Sequence, residues 1–92
     1  ASYIEYNNVA SAPIIKNGLV TGGSFSGNPK TATITFTSPY VDNNYTITVS
    51  GENNRTFTIE SKIAGSFVIN SNSNQTLSGN TFWQTINIGE FN

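Results

Sequence analysis

The sequence contains no cysteine, histidine or methionine. Without cysteine the chain cannot form a disulfide, and without cysteine or histidine it lacks the usual ligands of zinc. The same absences exclude Ser-His-Asp and Cys-His catalytic arrangements. The acidic residues Glu5, Asp42, Glu52, Glu60 and Glu90 are scattered singly, so their spacing suggests no pair of catalytic carboxylates. The residues therefore predict a protein that is not an enzyme and that uses no metal or cofactor.

Charged residues are also scarce. Only 10% of the 92 residues are charged and the formal net charge is -1, against about 25% charged residues in ordinary globular domains. No basic patch is available for a phosphate backbone, so nucleic acid is not an expected partner. No apolar run approaches the roughly 18 residues of a membrane span, so membrane insertion is not expected. Polarity comes from Asn, Ser and Thr, whose neutral groups suit a glycan ligand and an ordinary polar surface equally well.

The length predicts a single domain over residues 1–92. A domain this small leaves much of its surface exposed, and with disulfides and zinc excluded we expect subunit association to add stability. Residues 1–16 follow no clean period and are interpreted as an edge strand, as an N-terminal arm on a neighbouring subunit, or as a linker. The start at Ala1, without a signal-peptide pattern, indicates a fragment or processed product of a longer polypeptide.

Alternation of apolar and polar residues dominates the rest of the chain, and this is the period of half-buried strands. The runs that show it are 31–37, 44–50, 55–61, 66–70 and 81–88, with a weaker run at 19–25. Turn residues separate the runs, and residues 51–54 are predicted to close a short hairpin between the second and third runs. Six to seven short strands without helices predict an all-β fold, an antiparallel β-sandwich.

The last run carries the only tryptophan. Phe82, Ile86 and Ile88 share one side of this predicted strand, which assigns them to the core and directs Trp83 outward. A large outward aromatic is explained by a subunit contact, by a ligand platform, or by a structural position over a gap or beneath the N-terminal arm.

Two polar segments supply candidate binding residues. Amide groups offer paired donors and acceptors and an arginine adds a fork of donors, a combination that can bracket sugar hydroxyls. An aromatic ring can supply the remaining contact with a sugar. The candidate carbohydrate-binding residues are Asn53, Asn54, Arg55, Asn72, Asn74 and Gln75, with Tyr40 and Trp83 as candidate aromatic contacts. The alternative for each is an ordinary turn or packing residue.

A family resemblance adds to this interpretation. The segment Ile34-Thr35-Phe36-Thr37-Ser38-Pro39-Tyr40 resembles the "ITF-x-SPY" opening of H-type lectin domains. Later matches follow in the same order: 45–49 for an alternating strand, Asn54-Arg55, 64–67 for the family's "TGF", and 83–86 for its final "W-x-x-I" strand. The resemblance covers residues 30–91. The whole chain, including 16–20 and 27–30, is similar to related domains at the C-terminal tips of bacteriophage tail fibres and spikes.

The resemblance implies a six-stranded antiparallel sandwich that forms a homotrimer and binds sugar near protomer boundaries. It carries Arg55 over as a sugar-contacting residue and indicates that Trp83 packs. Residues 71–78 depart from the family, because they contain neither the aromatic nor the histidine that H-type lectins can place there. The expected function is a trimeric, receptor-binding tip on the virion that recognises a host cell-surface glycan. A structural trimerisation or capsid- or tail-decoration domain is the alternative, and an autonomous secreted lectin is a more remote one.

Overall fold

A computed structural model describes residues 15–88 of the chain. Six strands form two antiparallel sheets of three strands each. In chain order the strands are β1 (Ile15–Val20), β2 (Thr31–Thr35), β3 (Tyr45–Gly51), β4 (Thr58–Ile63), β5 (Ser66–Asn70) and β6 (Thr81–Asn87). The first sheet has the order β1-β6-β3 and the second has the order β2-β5-β4. The prediction of an all-β fold with an antiparallel sandwich is confirmed, while the predicted arm over 1–16 lies almost wholly outside the described residues.

The core lies between the two sheets and is rich in aromatic rings. Phe67 and Ile69 on β5 and Tyr45 on β3 are fully buried, as the alternation predicts. Phe36 sits among the rings of Tyr40, Tyr45 and Phe67, with centroid separations of 5.3 to 5.8 Å. The Phe36 ring meets those of Tyr40 and Tyr45 edge to face and is tilted against that of Phe67, so this end of the sandwich is held by an aromatic cluster.

Hydrogen bonds also join the two sheets through the core. The Tyr45 hydroxyl lies 2.7 Å from the carbonyl oxygen of Ile63 and 3.0 Å from that of Ser66, at the β4–β5 turn. The Tyr40 and Thr85 hydroxyls are 2.7 Å apart. Burial raises the pKa of the Tyr45 phenol, and the neighbouring Tyr40 raises it further, so the hydroxyl keeps the proton that it donates.

The two open sides of the sandwich are each covered by a lysine. The Lys16 ammonium lies 5.0 Å from the Tyr40 ring centre and 5.5 Å from that of Phe36. The Lys62 ammonium lies 4.9 Å from the Tyr45 ring centre and donates to the Tyr45 carbonyl oxygen at 2.7 Å. Cations over aromatic faces are attracted by the ring quadrupole, so both lysines cover the aromatic core with a polar group that faces water.

The predicted orientation of the last strand is wrong. Trp83 lies on the inner side of β6 and packs against Phe36 and Phe67, with ring centres 5.9 and 5.7 Å apart. The inner side of β6 also carries the buried polar residues Thr85 and Asn87, which find partners there: the Asn87 amide donates to the Asn44 carbonyl and to Asp42 Oδ1, each at 3.1 Å. The buried Thr81 hydroxyl has no hydrogen-bond partner within residues 15–88. The prediction assigned the side of β6 with more apolar residues to the core, and in the structure that side faces outward.

The predicted hairpin at 51–54 is also wrong. β3 pairs with β6 and β4 pairs with β5, so residues 52–57 cross from one sheet to the other. Alternation shows which side of a strand faces the core, and both sheets face the same core, so it does not show which strands pair. The weak run at 19–25 ends as a strand at Val20 and continues as a 3-10 turn at Gly22–Ser24.

The two outer faces differ in chemistry. The first sheet exposes Ile15 and Leu19 on β1 and Phe82 and Ile86 on β6, and we call this outer side of β1-β6-β3 the apolar face. The second sheet exposes mainly hydroxyl groups, and we call the outer side of β2-β5-β4 the threonine face: Thr31, Thr33, Thr35, Thr58, Glu60, Ser66 and Val68, with Ile63 exposed beside Ser66 at one end. Among residues 15–88, no helix is long and apolar enough to cross a membrane.

Candidate binding surface at the loop end

Three connecting segments meet at one end of the sandwich, which we call the loop end. β1, β3 and β5 all terminate at this end, and β2, β4 and β6 begin there. The loop end therefore collects residues 21–30, 52–57 and 71–80. The structure thus brings the two predicted binding segments together, although the predicted hairpin that was to present one of them does not exist.

The 71–80 segment is anchored by a buried leucine and a close glycine. Leu77 is 2% exposed and belongs to the core. Gly22 lies so close beneath it that a Cβ atom on Gly22 would come within 2.1 Å of the Leu77 carbonyl oxygen. Any side chain at this position would displace the loop backbone, so Gly22 permits a close approach of the two backbones.

Four hydrogen bonds link the 52–57 segment to the end of the 71–80 segment. The Glu52 backbone N–H donates to the Asn80 carbonyl at 2.9 Å, and the Asn80 N–H donates to Glu52 Oε1 at 2.7 Å. Asn53 accepts from the Gly79 N–H at 2.9 Å and donates through Nδ2 to Ser78 Oγ at 3.2 Å. The Asn53 amide is therefore occupied at both ends, and this candidate residue positions the loops.

Asn72 has a similar positioning role. Its Nδ2 donates to the Thr56 carbonyl and, at 3.0 Å, to Thr58 Oγ1, which ties 71–80 to the start of β4. Its backbone has a φ of 56° and its N–H is bonded to Asn70 Oδ1 at 2.8 Å. Asparagine adopts this left-handed conformation more readily than most residues, so the residue type is explained by the turn.

Arg55 links the same two segments and still has N–H donors that are not used in doing so. Its Nη1 donates to the Asn54 carbonyl at 2.9 Å, and its Nη2 lies 3.4 Å from the Thr76 carbonyl. A guanidinium has five N–H donors, so two remain on the Nη atoms for other acceptors. The Nε is buried and has no acceptor within residues 15–88.

Three candidate residues point their side chains into solvent. Asn54, Asn74 and Gln75 are exposed, and their amide groups make no hydrogen bond within the described part of the chain. Only the Gln75 backbone takes part in a turn, donating to Ser73 Oγ at 3.1 Å. Among the six polar candidates, these three amides and the free Nη donors of Arg55 are the groups left for a ligand.

The two aromatic candidates lie elsewhere. Tyr40 is 6% exposed and belongs to the aromatic cluster at the opposite end of the sandwich. Trp83 is half-buried, and its accessible part lines a groove between β1 and β2 with Lys16, Thr35 and Ser38. Neither ring reaches the loop end, so the structure does not place them beside the six polar candidates.

Sequence reasoning missed the residues that hold the loop end in shape. Glu52 and Asn80 exchange hydrogen bonds across 28 positions, and the Ser78 hydroxyl and Thr76 carbonyl serve Asn53 and Arg55. No local signal marks such long-range partners.

Within residues 15–88 no three Asp, Glu, His or Cys side chains come together as a metal site. The Asp42 carboxylate, at the other end, accepts from the Asn44 N–H and the Asn87 amide, which lowers its pKa.

Comparison with known proteins gives no family assignment. No protein-family model matches the chain, and no curated protein matches it.

Proposed function

We propose that this chain is a non-catalytic binding module that recognises a glycan through its loop end. In this proposal it is the trimeric receptor-binding tip of a bacteriophage tail fibre or spike, exposed on the virion and directed at a host cell surface. The observation that carries the proposal is the group of unpaired amides of Asn54, Asn74 and Gln75 beside Arg55, on a surface built by the crossing of two loops.

The chemistry of this surface suits a neutral, hydroxylated ligand. Each amide offers a carbonyl acceptor and two N–H donors, and each sugar hydroxyl can both donate and accept. The ordering of 52–57 against 71–80 is already provided by the bonds of Asn53, Asn72 and Glu52. A surface that is ordered before the ligand arrives loses less conformational entropy on binding.

The expected affinity of one copy is low. An exposed polar surface without an aromatic platform makes hydrogen bonds that compete with water, each of which contributes about 1 kcal/mol. Three copies in one particle tip raise the effective affinity without any new contact, because later contacts form within the same complex. Weak individual sites therefore fit a trimeric attachment module better than they fit a single soluble receptor.

The proposal is tested by glycan-array and whole-cell binding of the labelled chain, presented as multiple copies on a bead. We expect Arg55→Ala and the double variant Asn74→Ala, Gln75→Ala each to lower binding by about tenfold. The control is Thr33→Ala, which removes an exposed hydroxyl from the threonine face. If the wild-type chain binds no glycan and no cell in this format, glycan recognition is wrong.

A structural domain without a ligand is the second candidate, and the apolar face favours it. Four large apolar side chains on one outer surface are a feature of association between proteins and are not needed for sugar binding. This candidate predicts an assembled particle in which none of the loop-end variants changes any binding. The same array therefore separates the two functions.

A further inference from the structure

Four of the seven exposed large hydrophobic residues within residues 15–88 lie on the strands of the apolar face. Leu19 and Phe82 are register partners and are 50% and 42% exposed, and Ile15 and Ile86 are register partners that are 51% and 40% exposed. Each pair forms a row across β1 and β6, one near each end of the sheet. Isolated apolar residues on a surface are ordinary, but contiguous patches commonly mark an interaction site.

Polar residues form a third row between the two apolar rows. Gln84 on β6 is the register partner of Asn17 on β1 and of Thr48 on β3. All three are exposed and uncharged. Amide and hydroxyl groups both donate and accept, so this row can hydrogen-bond to an identical row without any group of opposite character.

No charged side chain of residues 15–88 lies on the apolar face. The charged residues of the described part of the chain lie on the inner side or at the edges of the sheets, in the loops, or, for Glu60, on the threonine face. Interface cores are depleted of charged residues, because each charge must lose its hydration when the interface forms. A neutral face also meets its own copy without like-charge repulsion, and it offers no charge to a charged partner.

We propose that the apolar face is the surface through which copies of this chain associate. A rotation axis parallel to β6 places each row beside the same row of the neighbouring copies, which produces an apolar layer, an amide layer around Gln84 and a second apolar layer. The amide layer fixes the register, as a polar residue in a coiled-coil seam does. The number of copies, three, rests on the proposed function, whereas the location of the interface does not.

The size of the face sets the expected strength of association. Three strands about 4.8 Å apart and six residues long at about 3.4 Å per residue give a face of roughly 14 by 20 Å. This is smaller than the surface of about 800 Å² per partner that a stable interface usually covers. We therefore expect reversible, concentration-dependent association of the isolated chain.

The test is sedimentation of the full 92-residue chain from about 10 μM to about 1 mM, the range of weak interfaces. We expect Phe82→Lys to weaken association by about 100-fold or more, because it places a charge in the apolar layer. The matched control is Thr33→Lys, which adds the same charge to the threonine face and should associate as the wild type does. Circular dichroism of both variants establishes that they are folded.

A second variant tests the amide layer. Gln84→Leu keeps the face neutral and should permit association while broadening the distribution of assembled species, because the register is no longer fixed. A single species identical to that of the wild type would contradict the assignment of the amide layer.

The outcomes separate this inference from glycan recognition. A wild-type chain that stays monomeric at about 1 mM, or one whose association survives Phe82→Lys, overturns the interface. If the chain is monomeric and Phe82→Lys destabilises it far more than Thr33→Lys does, the apolar face is covered by residues 1–14 of the same chain. That result also overturns the interface. A dimer that Phe82→Lys dissociates supports the interface and contradicts the trimer. Association without glycan binding supports the interface and contradicts the proposed function.

Discussion

The two outer faces of the sandwich are built on the same kind of sheet and cover the same core, but they present different chemistry to solvent. On the threonine face, β2 places Thr31, Thr33 and Thr35 outward. The branched Cβ of threonine suits the pleated backbone of a strand, and its hydroxyl forms hydrogen bonds with water. On the apolar face, β1 and β6 use Leu19 and Phe82 at equivalent outward positions.

This difference shows that alternation along a strand does not by itself reveal whether its outer side chains contact water. A period of two shows that successive side chains point to opposite sides of a strand, and it does not show that the outer side meets water. In the first sheet β3 is solvated in the same way, with Thr46, Thr48 and Ser50 exposed on its outer side, whereas β1 and β6 carry large apolar side chains there. The proposed association of copies through the apolar face accounts for this difference between neighbouring strands.

The largest expected effect on stability distinguishes two phenylalanines, one between the sheets and one on the apolar face. Phe67 is 0% exposed and Phe82 is 42% exposed. Phe67→Ala should lower the free energy of unfolding by about 3–5 kcal/mol, because it opens a cavity in the aromatic core. Phe82→Ala should change it by about 0.5 kcal/mol or less at a concentration where the chain is monomeric. Urea denaturation measures both, and equal losses would mean that Phe82 is part of the core.

An intermediate effect tests whether the two sheets unfold as one unit. Tyr45→Phe removes the hydroxyl that reaches the carbonyl groups of Ile63 and Ser66 in the other sheet. The expected loss of unfolding free energy is about 0.5–1.5 kcal/mol, the usual net contribution of a hydrogen bond, since these carbonyl groups are only partly buried. Urea unfolding followed by fluorescence and by circular dichroism should remain coincident, because the core still joins the sheets.

The same variant has a pH signature. The pKa of Tyr45 is raised in the folded chain, so folding holds the phenolic proton more tightly than the unfolded chain does. This contribution is complete below the usual phenol pKa of about 10 and is lost as the pH rises through the raised value. The wild type should therefore lose its advantage over Tyr45→Phe above about pH 10. A difference between the two chains that stays constant through this range would contradict the raised pKa.

The smallest effect on stability is expected on the threonine face. Thr33→Ile with Thr35→Ile converts part of this face into a second apolar surface, beside Val68 on β5. The unfolding free energy should change by about 0.5 kcal/mol or less, because both side chains are exposed and both Thr and Ile are β-branched. Sedimentation should detect additional association that the wild type lacks. Unchanged sedimentation would mean that apolar outer residues are not sufficient for contact between copies.

Much of the fold could be predicted from the sequence because local alternation is strong. The inward positions of Ile34, Phe36 and Tyr45, and the antiparallel sandwich itself, follow from the period of two and the turn residues. The pairing of β3 with β6 could not be predicted, because it depends on contacts between residues 30 to 42 positions apart. Trp83 was misplaced because polar Thr85 and Asn87 find hydrogen-bond partners inside.

The candidate site was predicted only in part for a similar reason. The residue types and the two segments could be selected locally, and the structure brings them to one end. Whether an amide is free or occupied depends on partners far along the chain: Asn53 is held by Ser78 and Gly79, while Asn74 has no such partner. Local sequence does not distinguish these two asparagines.

The central position of β6 also governs the order in which this domain can fold. Among residues 15–88, both β1 and β3 pair with β6 alone, the last of the six strands, whereas β2, β4 and β5 form their sheet within residues 31–70. Within residues 15–88 the first sheet therefore gains its two ladders only when β6 is added to β1 and β3. The partners on β1 and β6 lie 61 to 71 positions apart, and the entropy of closing that loop is lost before the strands gain their hydrogen bonds.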